Sequence, residues 1–586
     1  MTGFAVWAPR CSVVELVLEG AGRLAMHQDT GGWWRVDVDG AGAGTRYWFS
    51  LEGGPPRPDP RSPWQPEGIT GPSAVVDHGS YRWGDGAWRG RVWPPGVLYE
   101  LHVGTFTDAG TFDAAIERLH HLRDLGIAAI ELLPVAEGSG GRGWGYDGVL
   151  WWAPHHAYGG PDGLKRLVDA AHQQGLAVIL DVVYNHFGPA GNYTEEFGPY
   201  LTDRYRTPWG PAINFDGHGS DEVRRFVIDN ACMWLENYHV DGLRLDAVHA
   251  IVDLSAVHIL EELAEAVDGL SGRLGRPLWL VAEDDRNDPR PLNARSLGGY
   301  GLDAAWNDEF HHALHASVTG ERTGYYLDFG APSQLARAYE KVYVHGRDFS
   351  PFRDRHHGRP VGELPGRAFV VCAQNHDQVG NRAAGERLAA LAPAARARLA
   401  AALVLLSPFV PLLFMGEEWA ASTPWLYFTD HADPELGRAV REGRRREFAA
   451  FGWRPEDIPD PQDPATRERS VLPWGEAAEE PHAAMLRWYR DLIRLRQELP
   501  DLAGDDRSAV SAVADDEAGW LRLRRGRVWL VANLGRAPAT VALEGAGPWE
   551  LLLASGPDAV GVGPHAVRVS SDAVAVVAPA AVHTTA

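Results

Sequence analysis

The stretch VDGLRLDAVHAI, residues 240–251, decides the fold and raises the question of function at once. Val240, Leu243, Leu245, Ala247 and Val248 give it the run of a buried strand, yet it carries Asp241, Arg244 and Asp246. Charge in such a strand is costly unless it is paired or used. Arg244 and Asp246 are two apart, so their side chains leave an extended chain on the same face. The guanidinium can then keep the carboxylate ionised and oriented. Asp241 shares neither that parity nor that position and reads as a structural residue at the strand's start.

Seven further apolar runs flank this one: VLYELHVGTF (97–106), AAIELLPV (128–135), LAVILDVVYNH (176–186), PLWLVAED (277–284), LDAAWND (302–308), AFVVCAQNHD (368–377) and VPLLFMGEE (410–418). Between and after them, helical periodicity marks 111–125, 161–174, 220–238, 255–268, 308–318, 393–406 and 482–498. Strand–helix alternation at this spacing predicts an α/β fold, a (β/α)8 TIM barrel with insertions. A doubly wound open sheet is the alternative. Short alternating segments before the barrel (FAVWAP, VVELVLEG, WWRVDVDG, TRYWFSLEG) predict an N-terminal β-sandwich, immunoglobulin-like or carbohydrate-binding-module-like, over 1–88. WGDGAWRGRVWPPG (83–96) reads as a linker. The barrel is expected over 89–503, and alternation after it predicts a C-terminal antiparallel β domain over 504–586.

In a (β/α)8 barrel, polar residues at the C-terminal ends of the strands line the active face. The third run ends in Asp181, Tyr184, Asn185 and His186, and the fourth in Arg244 and Asp246. The fifth ends in Glu283, Asp284 and Asp285, the sixth in Asn307, Asp308 and Glu309, and the seventh in Asn375, His376, Asp377 and Gln378. Five consecutive strands thus deliver carboxylates or their partners to one mouth. Glu283 follows the very apolar PLWLVA, a setting expected to favour its protonated form. A fixed carboxylate facing a protonated one is the arrangement for glycoside hydrolysis. Trp144, Tyr146, Trp151 and Trp152, after the second run, could offer flat faces to pyranose rings.

Composition narrows the partners. The net charge of −23 disfavours a nucleic acid or an anionic membrane. Lys165 and Lys341 are the only lysines, and neither sits in a Walker A loop. Cys11, Cys232 and Cys372 are few, scattered and in apolar settings, as expected of reduced residues in a cytoplasmic protein. The N-terminus lacks the pattern of a signal peptide, and no apolar run approaches a membrane span. GSGGRG (138–143) runs into WGYDG and not into a helix, which argues against a dinucleotide site. The histidine pairs 155/156, 311/312 and 356/357 lack zinc-ligand spacing and suit carboxylate partners better. No cofactor and no dedicated metal site is expected, although carboxylate-rich loops leave calcium open.

At DVVYNH (181–186), GLRLDAVH (242–249), VAED (281–284) and NHDQ (375–378) the chain resembles the α-amylase family of glycoside hydrolases. The resemblance implies Asp246 as nucleophile, Glu283 as general acid/base and Asp377 as the third carboxylate. It implies a substrate-binding set of Arg244, His186, His376, Tyr146, Asp147, Asn185, Asp308, Glu309 and Gln378. WNDEFHHALH (306–315), GRDFSPFRDRHHGRP (346–360) and the residues around NHDQ resemble the branch that hydrolyses maltooligosyltrehalose to trehalose and a maltooligosaccharide. The expectation is a monomeric enzyme with these partners alone. A glycogen branching enzyme, or a non-catalytic glucan-binding protein on the same barrel, are the rivals.

Overall fold

The structure is a computed structural model describing residues 1–449, 453–545, 547–556 and 559–580. Eight parallel strands close into a barrel: β1 (Leu98–Leu101), β2 (Ala129–Leu132), β3 (Ala177–Val182), β4 (Gly242–Leu245), β5 (Trp279–Ala282), β6 (Ala304–Trp306), β7 (Phe369–Cys372) and β8 (Val410–Phe414). Every residue in these strands is buried, which is why they read as continuous apolar runs. The open-sheet alternative is excluded by the pairing of β8 with β1, Leu412 opposite Leu98.

Alternation along the strands sorts the barrel interior into layers. Leu98, Ala129, Ile179, Trp279, Val281, Trp306, Val370 and Leu412 belong to one apolar cluster inside it. Two residues further along, the same faces carry Glu100, Glu131 and Asp181. Glu100 pairs with Glu131 in register, and Asp181 with Arg244. A charged layer therefore sits on an apolar plug.

The segment read as a linker closes the other end of this plug. Trp88 stacks on His172 at 4.5 Å and donates its indole N–H to Asp241 (2.8 Å), and Trp93 packs edge-on against Trp279 at 5.5 Å. Its Gly and Pro residues do mark irregular backbone, but its tryptophans bind it to the barrel, so the boundary expected at 88 falls inside this cover. Asp241 is structural as expected: it also accepts from the Val178 N–H and pairs with His172 and Arg276.

The helices form close to their expected ranges, for example Gly160–Gln173, Ser220–Asn237, Ile259–Leu274, Asp308–Thr319, Ala394–Leu405 and His482–Glu498. Helices Pro332–Lys341 and Pro434–Ala449 were not expected. In the N-terminal domain one sheet contains Thr2–Trp7 and Trp33–Val38 and another Val14–Leu18 and Arg46–Leu51, and they pack together through Phe4, edge-on to Tyr47 at 4.9 Å. Arg57 and Glu196 tie the domain to the barrel's third loop. The C-terminal domain has a five-stranded and a three-stranded antiparallel sheet. Buried Arg525 locks it down through the carbonyls of Ser407 and Leu502. Residues 581–586 of its expected range lie outside the described residues.

Candidate active site

Arg244 is the hub. Its side chain has no exposure and its guanidinium lies 4.4 Å over the Trp306 ring. Nη1 donates to Asp246 Oδ1 and to Asp181 Oδ2, both at 2.8 Å, and Nη2 lies 3.0 Å from Glu283 Oε2. Burial opposes its charge, but Asp181, Glu283 and Asp246 around it push its pKa well above the ordinary arginine value. The parity argument for Arg244 and Asp246 thus holds in three dimensions. The second oxygen of Asp246 accepts from Asn185 Nδ2 at 2.7 Å, which fixes the plane of the carboxylate.

Glu283 is not in the apolar setting that its strand suggested. Its backbone is, but its carboxylate lies on Arg244 and accepts from the Ala247 N–H at 2.8 Å. That N–H is aimed by an unusual turn. Ala247 has φ 41°, a left-handed conformation that an alanine adopts only at a cost of about 1–3 kcal/mol. Strain of this kind immediately after Asp246 couples the ends of β4 and β5.

Asp377 sits in the first turn of the short helix His376–Gly380, which Asn375 caps. It accepts from Asn381 Nδ2 at 2.6 Å. Burial raises its pKa, with neighbouring His376 opposing and Glu283 adding to the rise. Asp308, at the end of β6, accepts from Gln378 Nε2 at 3.2 Å. Burial, then the charges of Glu283 and Asp377, push its pKa up to about 7. Glu309 does not join this group. Its two oxygens are taken by the backbone N–H of His345 (2.8 Å) and by His345 Nδ1 (2.7 Å), so it anchors a loop.

On the opposite side, the Tyr146 hydroxyl lies 2.7 Å from Asp181 Oδ2 and 2.8 Å from His376 Nε2, and its ring stacks on His376 at 5.1 Å. His186 is bonded to Asn185 and held neutral, its pKa lowered to about 4 by burial. Asp147 lies near His431, 3.9 Å away, with a side chain still 39% exposed.

Sequence reasoning missed four members of this neighbourhood. Glu100 and Glu131 carried the same signal as Arg244, a charge inside an apolar run, and went unread. Trp306 forms the floor under Arg244. Trp209, on a hairpin formed by Leu201–Thr207 and Gly210–Ile213, stacks on His186 at 4.6 Å and is half exposed. The tryptophans proposed as sugar platforms serve packing instead. Trp144 stacks on Trp425, Trp151 on Phe187, and Trp152 faces Arg61 of the N-terminal domain. Of the three histidine pairs, 155/156 finds a carboxylate as expected, with His156 bonded to Glu137 and His155 3.9 Å from it, whereas His311 and His312 bond to each other.

Comparison with known proteins agrees with this geometry. Residues 82–207 match the family described as alpha amylase, catalytic domain, and 505–576 match a domain of unknown function. The chain is 52% identical over 546 residues to the malto-oligosyltrehalose trehalohydrolase of Arthrobacter ramosus, covering 92% of this chain and 94% of that protein. It is 50% identical over 547 residues to the one from a Rhizobium species, covering 92% of both. The chain belongs to the malto-oligosyltrehalose trehalohydrolase family. A crystal structure described as an alpha amylase from Salmonella typhimurium superposes on this trehalohydrolase-family fold with a TM-score of 0.90 at 41% identity, covering 98% of this chain and 97% of that one. A glycogen branching enzyme of Pseudoalteromonas atlantica is more distant, 29% identical over 464 residues, 72% of this chain and 61% of that protein.

Proposed function

We propose that the chain is a retaining glycoside hydrolase that cleaves the α-1,4 bond next to the terminal trehalose of maltooligosyltrehalose. The observation that carries this reading is that one guanidinium, Arg244, holds both Asp246 and Glu283. Retaining enzymes need their two carboxyl groups about 5–5.5 Å apart, and anchoring on one guanidinium keeps this pair close. In the first step Glu283 gives its proton to the glycosidic oxygen while an Asp246 oxygen attacks the anomeric carbon, and trehalose leaves. Arg244 and the Ala247 N–H receive the Glu283 anion that results. In the second step Glu283 takes a proton from water, the water oxygen attacks the anomeric carbon, and Asp246 is released. Asp377 grips sugar hydroxyls at the cleaved unit. His186, His376, Tyr146, Asn185 and Asp147 line the glycone side, and Asp308 with Gln378 the leaving-group side.

The relatives' names and the far lower identity to a branching enzyme support hydrolysis over transfer. Three retained carboxylates speak against a non-catalytic binding protein. The free cysteines support a reducing, cytoplasmic location. Among the described residues no helix is long and apolar enough to cross a membrane. We expect a monomer. The test is a product chromatogram after incubation with maltotriosyltrehalose, with long maltodextrin in parallel. Trehalose plus maltotriose supports the reading, and new α-1,6 branches in the maltodextrin overturn it.

A further inference from the structure

Glu100 lies buried beneath the barrel mouth, on the same strand face as Leu98. It is 1% exposed, and both of its oxygens accept from one residue: Oε2 from the His376 backbone N–H at 2.9 Å, Oε1 from His376 Nδ1 at 2.5 Å. With Nδ1 as the donor to Oε1, Nε2 is left to face the next group. From there a continuous chain runs on. His376 Nε2 lies 2.8 Å from the Tyr146 hydroxyl, which lies 2.7 Å from Asp181 Oδ2, which lies 2.8 Å from Arg244 Nη1.

Resting on the proposed function, we propose that Glu100 is a positioning residue for the reaction. With His376, Tyr146 and Asp181 it forms a hydrogen-bond chain that holds one shared proton, passed between His376 and Asp181 through the Tyr146 hydroxyl.

The hydroxyl has a single hydrogen, so the chain has two protonated arrangements. In one, Nε2–H donates to the Tyr146 oxygen and Tyr146 donates to an ionised Asp181. In the other, protonated Asp181 donates to Tyr146 and Tyr146 donates to neutral Nε2. Passing between them breaks one N–H and one O–H bond and makes two O–H bonds, with no change in net charge. What changes is the claim on Arg244. An ionised Asp181 shares its charge, whereas a neutral one leaves it to Asp246 and Glu283. The chain can therefore offset the negative charge that Glu283 acquires when it gives up its proton.

The surroundings suit this role. Burial would depress His376, but the charge and hydrogen bond of Glu100 more than offset it and raise its pKa. Asp181 is pushed up to about 7 by burial, with Arg244 opposing and Asp246 adding. The other groups facing the chain are Glu131, Asp377, Arg244 and His102. Burial, then the charge of Glu100, pushes the pKa of Glu131 well above the carboxylate range, which favours its neutral form. His102 is kept neutral by burial, its pKa lowered to about 3. Among the described residues Asp181 Oδ1 has no hydrogen-bond partner, which leaves Oδ2 as the atom that joins the chain.

The test is Glu100→Gln, with pH profiles of kcat and KM on maltotriosyltrehalose. The Glu100 anion holds the shared proton, so its removal lets that proton leave at lower pH. The alkaline limb of kcat/KM should move to lower pH by about one unit, with kcat down about tenfold and KM within about threefold. Glu100→Asp keeps the charge and should return the limb toward its parental position. In a Tyr146→Phe background the chain is already cut, so Glu100→Gln should move the limb no further. A folded Glu100→Gln variant with the parental profile overturns the proposal. So does a full additional shift in the Tyr146→Phe background, which marks simple through-space electrostatics. Should Glu100→Gln fail to fold, Tyr146→Phe alone decides: cutting the chain should move the alkaline limb to lower pH, and a parental limb in that variant overturns the proposal. Failure of the proposed function would show separately, as no turnover of maltotriosyltrehalose by the parent.

Discussion

Arg244 Nη2 lies 3.0 Å from Glu283 Oε2 while Nη1 of the same guanidinium holds Asp246 Oδ1 at 2.8 Å. Two carboxylates with opposite duties are thus aligned on the two ends of one planar fork. An ammonium cannot reproduce that geometry from a single nitrogen. Arg244→Lys should lower kcat/KM by at least about a hundredfold, a loss of roughly 2.7 kcal/mol in transition-state stabilisation. Steady-state kinetics on maltotriosyltrehalose check this. A loss under threefold would mean that the fork does not align the pair.

Replacing the carboxylates themselves separates binding from chemistry. Asp246→Asn and Glu283→Gln should each cost several powers of ten in kcat, with affinity for maltooligosyltrehalose largely kept. Calorimetric binding to the inactive variants provides the check. Near-normal turnover in either variant would remove its assigned role.

Asp308 and Glu309 are neighbours in sequence with different fates. Asp308→Ala should reduce the preference for maltooligosyltrehalose over a maltooligosaccharide of equal length by tenfold or more, about 1.4 kcal/mol. Glu309→Ala should leave selectivity unchanged and lower stability by about 3 kcal/mol, because His345 loses its hydrogen-bonded carboxylate and keeps only Asp328 at 3.7 Å. Competition kinetics and thermal melts of both variants distinguish the two outcomes.

Asp308 also gives the stability a pH signature. Its pKa of about 7 in the fold lies above the ordinary carboxylate value of about 4. Between those values the folded chain binds more protons than the unfolded one, so this group's contribution falls as pH rises toward 7. Asp308→Asn removes the term. Its melting temperature relative to the parent should be higher at pH 8 than at pH 5, and the reverse order would contradict the burial of a protonatable Asp308.

Much of this architecture was legible in the residues. A strand buried on both faces writes an uninterrupted apolar run, and all eight barrel strands did so. Polar residues after VILDV, GLRL, WLVA, AAW and FVVC did converge on one mouth, whereas Glu309 and Tyr184 turned to His345 and Asn230. Other features were hidden for physical reasons. Asp308 and Glu309 both belong to a first helical turn, and about 100° of rotation separates their directions, which sequence spacing alone does not orient against a cleft. The strand WLVA reports the surroundings of the Glu283 backbone, whereas its carboxylate reaches Arg244 on the neighbouring strand. Gly and Pro in 83–96 announce irregular backbone and say nothing of what Trp88 and Trp93 cover. Trp209 meets His186 only because a hairpin folds back over the third loop.

In the proposed reaction Asp246 forms a covalent glycosyl intermediate and Glu283 serves first as acid and then as base. The most direct measurement is a proton NMR time course of maltotriosyltrehalose hydrolysis, read at the anomeric signals before mutarotation. Trehalose and maltotriose released first as the α anomer is the result expected. Maltotriose released first as the β anomer would contradict it.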